Sequence, residues 1–170
     1  MAYGTTAAGT ITKEQTLLST KRYPVAASTL ITKGQVCVID SSGNLVTAPT
    51  SATAGKQHFV SLETVDNSAG SAGDLSCPVA VRGHFVTVVA DGTILPGQPV
   101  KTSTSTAGRV LAFAVGTDAE GLKVGYYTGK EGGSVNKSIS TSPYLETFTD
   151  GENFLTASAA QGNVIEIELR

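Results

Sequence analysis

The chain has 170 residues, of which 15% are charged, and a formal net charge of −2 at pH 7. Nucleic-acid affinity needs clustered Lys and Arg, and Lys21-Arg22 is the only adjacent basic pair, so we expect no nucleic-acid partner. No apolar run approaches the roughly 20 residues of a membrane span, and residues 1–6 lack the basic and apolar regions of a signal peptide. The sequence predicts a protein made in a cytoplasm, whose low-charge surface loses little on desolvation.

Residues 1–24 are polar, small and weakly patterned. Fixing about 20 residues of backbone costs roughly 20–40 kcal/mol, whereas burying the large apolar side chains of this segment returns only about 6–12 kcal/mol. We therefore interpret it as an N-terminal arm that a partner surface orders; a frayed terminus is the alternative. The predicted contact residues of the arm are Tyr3, Ile11, Leu17, Leu18 and Tyr23.

Apolar segments with β periodicity, bounded by turn residues, follow the arm. The predicted strands are 35–39, 45–48, 59–65, 75–82, 84–89, 100–101, 110–115, 122–127 and 164–169. Pro78 lacks an N–H group, which predicts that its strand lies at a sheet edge or carries a bulge. Short strands separated by glycine turns indicate an all-β barrel or sandwich.

The chain also contains an internal repeat. Residues 31–36 are echoed by 94–100, and residues 43–48 by 108–113. Both matches have an offset of about 63 to 65 positions, as a duplicated supersecondary unit would give. Chance resemblance between glycine-containing turns is the alternative.

A third match has a longer offset. Residues 73–82 are echoed by 162–170, about 25 positions further along than the other two matches. An insertion in the second copy explains the difference, and the Ser-, Thr- and Gly-rich stretch at about 129–153 is the candidate. We predict a β domain over 25–170 that consists of two similar β units with an inserted loop.

The sequence offers no catalytic or metal-binding motif. His58 and His84 are far apart, and no GxSxG, GxGxxG or GxxxxGK[ST] motif opens a helix after a strand. Cys37 and Cys77 lie outside CxxC and metal-ligand spacings, which favours reduced, buried thiols over a disulfide. We expect no enzyme, no cofactor and no metal site.

The order of strand and turn motifs resembles a known family. The motifs are Gly73-Asp74-Leu75, the strand pair over 79–88, the turn at 94–100, the hairpin at 108–112 and the closing strand at 154–169. Over about residues 25–170, apart from the insertion, this order resembles the small capsid cement, or head decoration, proteins of tailed phages. The resemblance implies a β-barrel or β-tulip module, commonly trimeric, that binds at symmetry axes outside the shell of major capsid protein and strengthens it.

We therefore predict a structural virion protein on the outer capsid surface. Its predicted partners are the major capsid protein and two further copies of itself in a homotrimer, with the arm joining neighbouring subunits by strand addition. The alternative is a receptor- or glycan-binding β module of a phage tail or cell surface. That module would use the exposed-loop residues Tyr144, Leu145 and Phe148, because aromatic rings stack on sugars.

Overall fold

Short, β-branched segments separated by turns form nearly all of the regular structure. The computed structural model describes residues 8–9, 11–13, 20–51, 55–131 and 159–170. Its strands are β1 (Ile11–Lys13), β2 (Lys21–Pro24), β3 (Thr29–Ile31), β4 (Val36–Ile39), β5 (Leu45–Thr47), β6 (Phe59–Ser61), β7 (Val65–Asn67), β8 (Ser76–Ala80), β9 (Phe85–Val89), β10 (Pro99–Thr102), β11 (Val110–Ala112), β12 (Lys123–Glu131) and β13 (Val164–Leu169). A single 3-10 turn, Glu120–Leu122, precedes β12 in the described part of the chain.

The strands form three antiparallel sheets. The six-stranded sheet has the order β1-β9-β13-β12-β10-β11, the five-stranded sheet β2-β8-β6-β4-β5, and the small sheet pairs β3 with β7. The predicted all-β class is confirmed. Across the described ranges no sheet closes into a barrel, so the barrel or tulip expected from the sequence is replaced by open sheets. One isolated parallel bridge, Val25 to Leu45, links the segment after β2 to β5, and another, Ala90 to Val110, links the segment after β9 to β11.

The two large sheets repeat one strand order. The order β2-β8-β6-β4-β5 corresponds position by position to β9-β13-β12-β10-β11, and each series ends in an equivalent parallel bridge. The predicted pair of similar β units is therefore confirmed. The first unit runs from β2 to β8, and the second unit runs from β9 to β13.

Matched hydrogen bonds donated by backbone amides fix the correspondence between the units. The bond from Gly73 N to Val25 O (3.0 Å) in the first unit matches the bond from Gly162 N to Ala90 O (2.8 Å) in the second. Likewise, the bond from Thr32 N to Gln35 Oε1 (2.8 Å) matches the bond from Leu95 N to Gln98 Oε1 (3.0 Å). The first of these pairs makes Val25 the counterpart of Ala90. The offset seen in the sequence therefore reflects two copies of the same local structure.

The third repeat has its long offset because of one connection. In the first unit, residues 62–64 join β6 to β7, and Val65 pairs with Ile31. In the second unit the equivalent of Ile31 is Ile94, which bridges to Ala159, so residues 132–158 stand where the first unit has three residues. The inserted loop that the sequence predicts at about 129–153 begins within β12 and otherwise lies outside the described residues.

Both units contribute to one hydrophobic core. Val36, Val60 and Ala80 of the first unit pack in the same cluster as Val88 and Ile165 of the second unit. A smaller cluster lies within the first unit around Phe59 and contains both cysteines. Because the larger cluster draws side chains from both sheets, the two units are held together by burial of shared apolar surface.

Both cysteines are free thiols inside the smaller core cluster. Cys37 and Cys77 are fully buried. Burial raises the pKa of the Cys37 thiol, and the nearby Cys77 raises it further. Burial likewise raises the pKa of the Cys77 thiol. The thiols are therefore uncharged at neutral pH and pack as small apolar groups, as the sequence predicts.

Three local predictions differ from the structure. The single strand expected over 59–65 is divided into β6 and β7, which belong to different sheets. Residues Lys21–Pro24, which the sequence places in the arm, form β2 of the five-stranded sheet. The prediction for Pro78 was wrong, because β8 lies between β2 and β6.

Pro78 is tolerated in an interior strand because of where it falls. Its carbonyl accepts a hydrogen bond from the Leu62 amide at 3.0 Å, so its backbone polar groups are directed to the β6 side. Since β6 ends at Ser61, the missing N–H of Pro78 falls beyond the ladder between β6 and β8.

Candidate interaction surfaces

The described part of the N-terminal segment is a strand of its own domain. β1 pairs antiparallel with β9, with Ile11 opposite Val86 and Lys13 opposite Phe85. The Gly9 amide donates to the Thr87 carbonyl at 2.6 Å. Gly9 and residues 11–13 therefore make backbone contacts with β9 of the same chain, while the predicted contacts of the arm with a partner stay a prediction.

In the N-terminal segment, Gly9 lies against the backbone of the first unit. It has φ of +76°, and an added Cβ would lie 2.6 Å from Gly34 N and 2.6 Å from Ser61 O. Gly34 also has a positive φ, +83°. Both the backbone conformation and the close approach of backbone atoms require the absence of a side chain at Gly9.

Gly9→Ala is expected to release β1 from β9. The added methyl group clashes with backbone atoms that cannot rotate away, which we expect to lower the free energy of unfolding by about 1–3 kcal/mol. Gly97→Ala is the matched control, because Gly97 has φ of +78° but no atom within 4 Å of an added Cβ. Urea denaturation and proteolysis within residues 9–13 measure the effect; equal losses for the two variants would contradict the role of the close approach.

The predicted contact residues are only partly within the described structure. Ile11 lies in β1. Tyr23 lies in β2, is half-buried, and packs its ring 4.9 Å from the Phe59 ring at an interplanar angle of 54°. Part of its surface is therefore already used inside the first unit. The remaining predicted residues lie outside the described residues; they are Tyr3, Leu17, Leu18, Tyr144, Leu145 and Phe148.

The second unit presents a tyrosine ring flanked by two cations, an arrangement that the sequence did not reveal. We call Lys123, Tyr126, Glu168 and Arg170 the aromatic–cation patch; the neighbouring Phe113 ring is buried. Lys123 Nζ lies 5.1 Å from the Phe113 ring centre and 5.6 Å from that of Tyr126. The Arg170 guanidinium lies 5.4 Å from the Tyr126 ring centre and 3.1 Å from Glu168 Oε1. Tyr and Arg are enriched where protein interfaces bind most tightly, so this patch has the composition of a contact surface.

A buried carboxylate, Asp91, follows β9 and joins three loops of the second unit. Its side chain is 0% exposed. Its partners are Ser103 Oγ at 2.5 Å, Thr106 Oγ1 at 3.2 Å, Gln161 Nε2 at 3.3 Å and Arg109 NH1 at 3.6 Å. Burial alone raises the pKa of Asp91, but the hydrogen bonds from Ser103, Gln161 and Thr106 and the charge of Arg109 outweigh it and lower that pKa.

The Asp91 cluster has the geometry of a loop cap. Ser103 Oγ donates to Asp91 and accepts from the amides of Ser105 and Thr106 at 3.0 Å each. In the first unit, Asp40 occupies the hairpin position equivalent to that of Ser103, and its Oδ1 accepts hydrogen bonds from the Ser42 and Asn44 amides. Ser103 is therefore held as a structural hydroxyl, and its contacts are those of a hairpin turn.

A shallow groove of about 120 Å³ is too small for a typical ligand. It is lined by Thr50, Ser51, Lys101, Thr102, Thr104, Asp118 and Leu122. Lys101 Nζ already bonds Asp118 Oδ1 at 2.7 Å within it. Sites for small molecules usually enclose about 300–1,000 Å³, so this groove does not define one.

His58 and His84 are both buried, and burial lowers the pKa of His58. Among the residues that the structure describes, no three His, Cys, Asp or Glu side chains are grouped as metal ligands. That part of the chain likewise includes no helix with the length and apolarity to cross a bilayer.

Comparison with known proteins gives a similarity of fold. No family model matches the chain, and no curated protein matches it. The crystal structure of the head fiber gp8.5 N base in bacteriophage phi29 matches with a TM-score of 0.51 and 11% sequence identity. The match covers 89% of this chain and 95% of that chain. The protein thus shares its all-β fold, over most of its length, with the N base of a phage head fiber.

Proposed function

We propose that this protein is a structural protein of a phage head and that it decorates the outside of the capsid. The observation that carries the proposal is the match in fold to the N base of a phage head fiber, which spans 89% of this chain and 95% of the other. The match covers most of both chains, so the likeness is not limited to one common β motif. The motif order in the sequence supports the same assignment independently.

The proposed action is to bind the shell of major capsid protein as a cement. Two β units with one shared core form a body that can bear load across a subunit boundary. A homotrimer on a threefold axis would contact several shell subunits at once, so individually modest contacts would add through effective concentration. The aromatic–cation patch supplies a surface whose composition suits such contacts. The proposal requires no catalytic step and no cofactor.

Light-scattering mass tests the proposed assembly. The purified protein is expected to show three times the 17.3 kDa chain mass and, when mixed with empty shells of candidate tailed phages, to saturate them at a copy number fixed by their symmetry. Saturated shells are also expected to rupture at a higher temperature than bare shells, as a cement requires. A monomer that binds none of the shells would contradict the proposal, and a glycan array would then test the receptor-binding alternative.

A further inference from the structure

The outer edge of β2 carries backbone groups that its own sheet does not use. Arg22 lies opposite Pro78 in the pairing of β2 with β8, and Pro78 has no N–H to offer. The Val25 amide donates to the Leu75 carbonyl at 2.9 Å, which shows that odd-numbered positions of β2 face β8. In an antiparallel pair the intervening residues face the other way, so the N–H and C=O of Arg22 are directed to the outer edge.

The second unit shows what this edge can bind. Because Val25 corresponds to Ala90, Arg22 corresponds to Thr87. The Thr87 carbonyl accepts the hydrogen bond from Gly9, and the strand beside it is β1. An extended segment of three residues is thus bound at the same edge of the equivalent strand.

The corresponding position beside β2 is an end of the five-stranded sheet. Within the described ranges β8 is the only strand paired with residues 21–24, and β5 reaches the outer side only past the end of β2, through the bridge from Leu45 to Val25. Pro24 ends the run because it cannot donate, so the edge offers a short acceptor centred on Arg22. Its length is similar to that of the edge that β1 covers.

The two basic side chains of β2 favour a bound segment of negative charge. Lys21 and Arg22 are both exposed, and they form the only adjacent basic pair in a chain of net charge −2. The Arg22 guanidinium is held at β8 by hydrogen bonds to Ser76 Oγ at 3.1 Å and to Ser76 O at 3.0 Å. Two exposed positive charges on a strand with a free outer edge favour an extended segment with acidic side chains.

We propose that the outer edge of β2 is a strand-acceptor site for an extended acidic segment of the capsid shell protein. The segment adds antiparallel to β2, and its backbone bonds the N–H and C=O of Arg22, at the position where Gly9, just before β1, bonds the Thr87 carbonyl. The identity of the partner rests on the proposed function, whereas the acceptor chemistry rests on the duplicated units alone.

The acceptor is tested first without any shell. Isotope-labelled protein is titrated with a short capped peptide of alternating Glu and Val, and with a matched peptide of alternating Lys and Val. We expect amide shifts at residues 20–25, slower hydrogen exchange of the Arg22 amide, and binding of the Glu peptide about fivefold tighter at low salt. Shifts confined to other strands, or equal binding of the two peptides, would overturn the proposal.

Two variants separate the contribution of the Arg22 backbone N–H to peptide binding from that of its side chain. Arg22→Pro removes the outward N–H but no backbone bond to β8, and we expect at least a tenfold loss of Glu-peptide binding. Like Arg22→Ala, it also removes the guanidinium bonds to Ser76, so comparing the two variants isolates the N–H. Arg22→Ala keeps the N–H and is expected to lose about two- to threefold. Unchanged binding by Arg22→Pro overturns the proposal; should that variant fail to fold, hydrogen exchange of the wild-type Arg22 amide decides alone.

Shell binding then distinguishes the two proposals. If wild-type protein binds shells and Arg22→Pro binds them at least tenfold less tightly, the edge contacts the shell protein. If both bind equally, the shell is not the partner of this edge, and the proposed function stands. If the wild type binds the Glu peptide but no shell, the proposed function fails and the acceptor chemistry remains.

Discussion

Asp91→Ala is expected to lower the free energy of unfolding by about 2–4 kcal/mol, measured by urea denaturation. The carboxylate is inaccessible to solvent and accepts hydrogen bonds from Ser103, Thr106 and Gln161. Alanine leaves the buried Ser103 hydroxyl without its acceptor, and the loops that these donors join lose their common attachment. A loss below about 0.5 kcal/mol, typical of a surface substitution, would contradict this role.

The pH dependence of Asp91→Asn isolates the charge of the same side chain. The pKa of Asp91 is lower in the folded protein than in the unfolded chain, so its stabilisation is complete above the unfolded value of about 3.9. It is lost as the pH falls through the lower, folded value. The difference in unfolding free energy between wild type and Asp91→Asn should therefore be constant near neutrality and shrink below about pH 4. A difference that grows on acidification would contradict the assignment.

Gly125→Val is expected to be the most damaging substitution within the strands. Gly125 in β12 lies opposite Leu169 of β13, and an added Cβ would overlap the Glu168 carbonyl oxygen and lie 3.0 Å from its carbon. The clash is with backbone, so the two strands must separate. We expect Gly125→Ala to cost about 1–3 kcal/mol and Gly125→Val more, as seen in thermal and urea denaturation.

Gly92→Ala is the matched control for the crowding at Gly125. Its added Cβ would meet only Leu111 Cδ2, at 2.8 Å, and this terminal methyl group can rotate away. Neither glycine has a positive φ, so the comparison separates steric overlap with backbone from conformational strain. Equal destabilisation by the two alanine variants would show that contact with β13 does not determine the effect.

The sequence predicted the fold where the signal was local. The strands over 36–39 and 164–169 were visible in their apolar patterns, and the two units were visible as a constant offset between turns. The short strands β2 and β3 were missed, because three or four residues with little apolar alternation are ordered by pairing with β8 and β7, which lie far along the chain. Distant pairing of that kind leaves no mark in a local window.

The candidate surfaces depend on register, which one sequence does not determine. Tyr126 and Glu168 become neighbours only because β12 and β13 pair with that alignment. The outward N–H of Arg22 follows from its position opposite Pro78. The basic pair at 21–22 was apparent in the sequence, but its position on a sheet edge was not. A shift of one residue in either pairing would direct these groups elsewhere.

Electron cryomicroscopy of empty phage shells mixed with saturating protein tests the central claim most directly. If the protein decorates heads, extra density will appear outside the shell at fixed symmetry positions, and the two-unit β module will fit into it. A panel of tailed-phage shells none of which carries added density at any symmetry position would contradict the account.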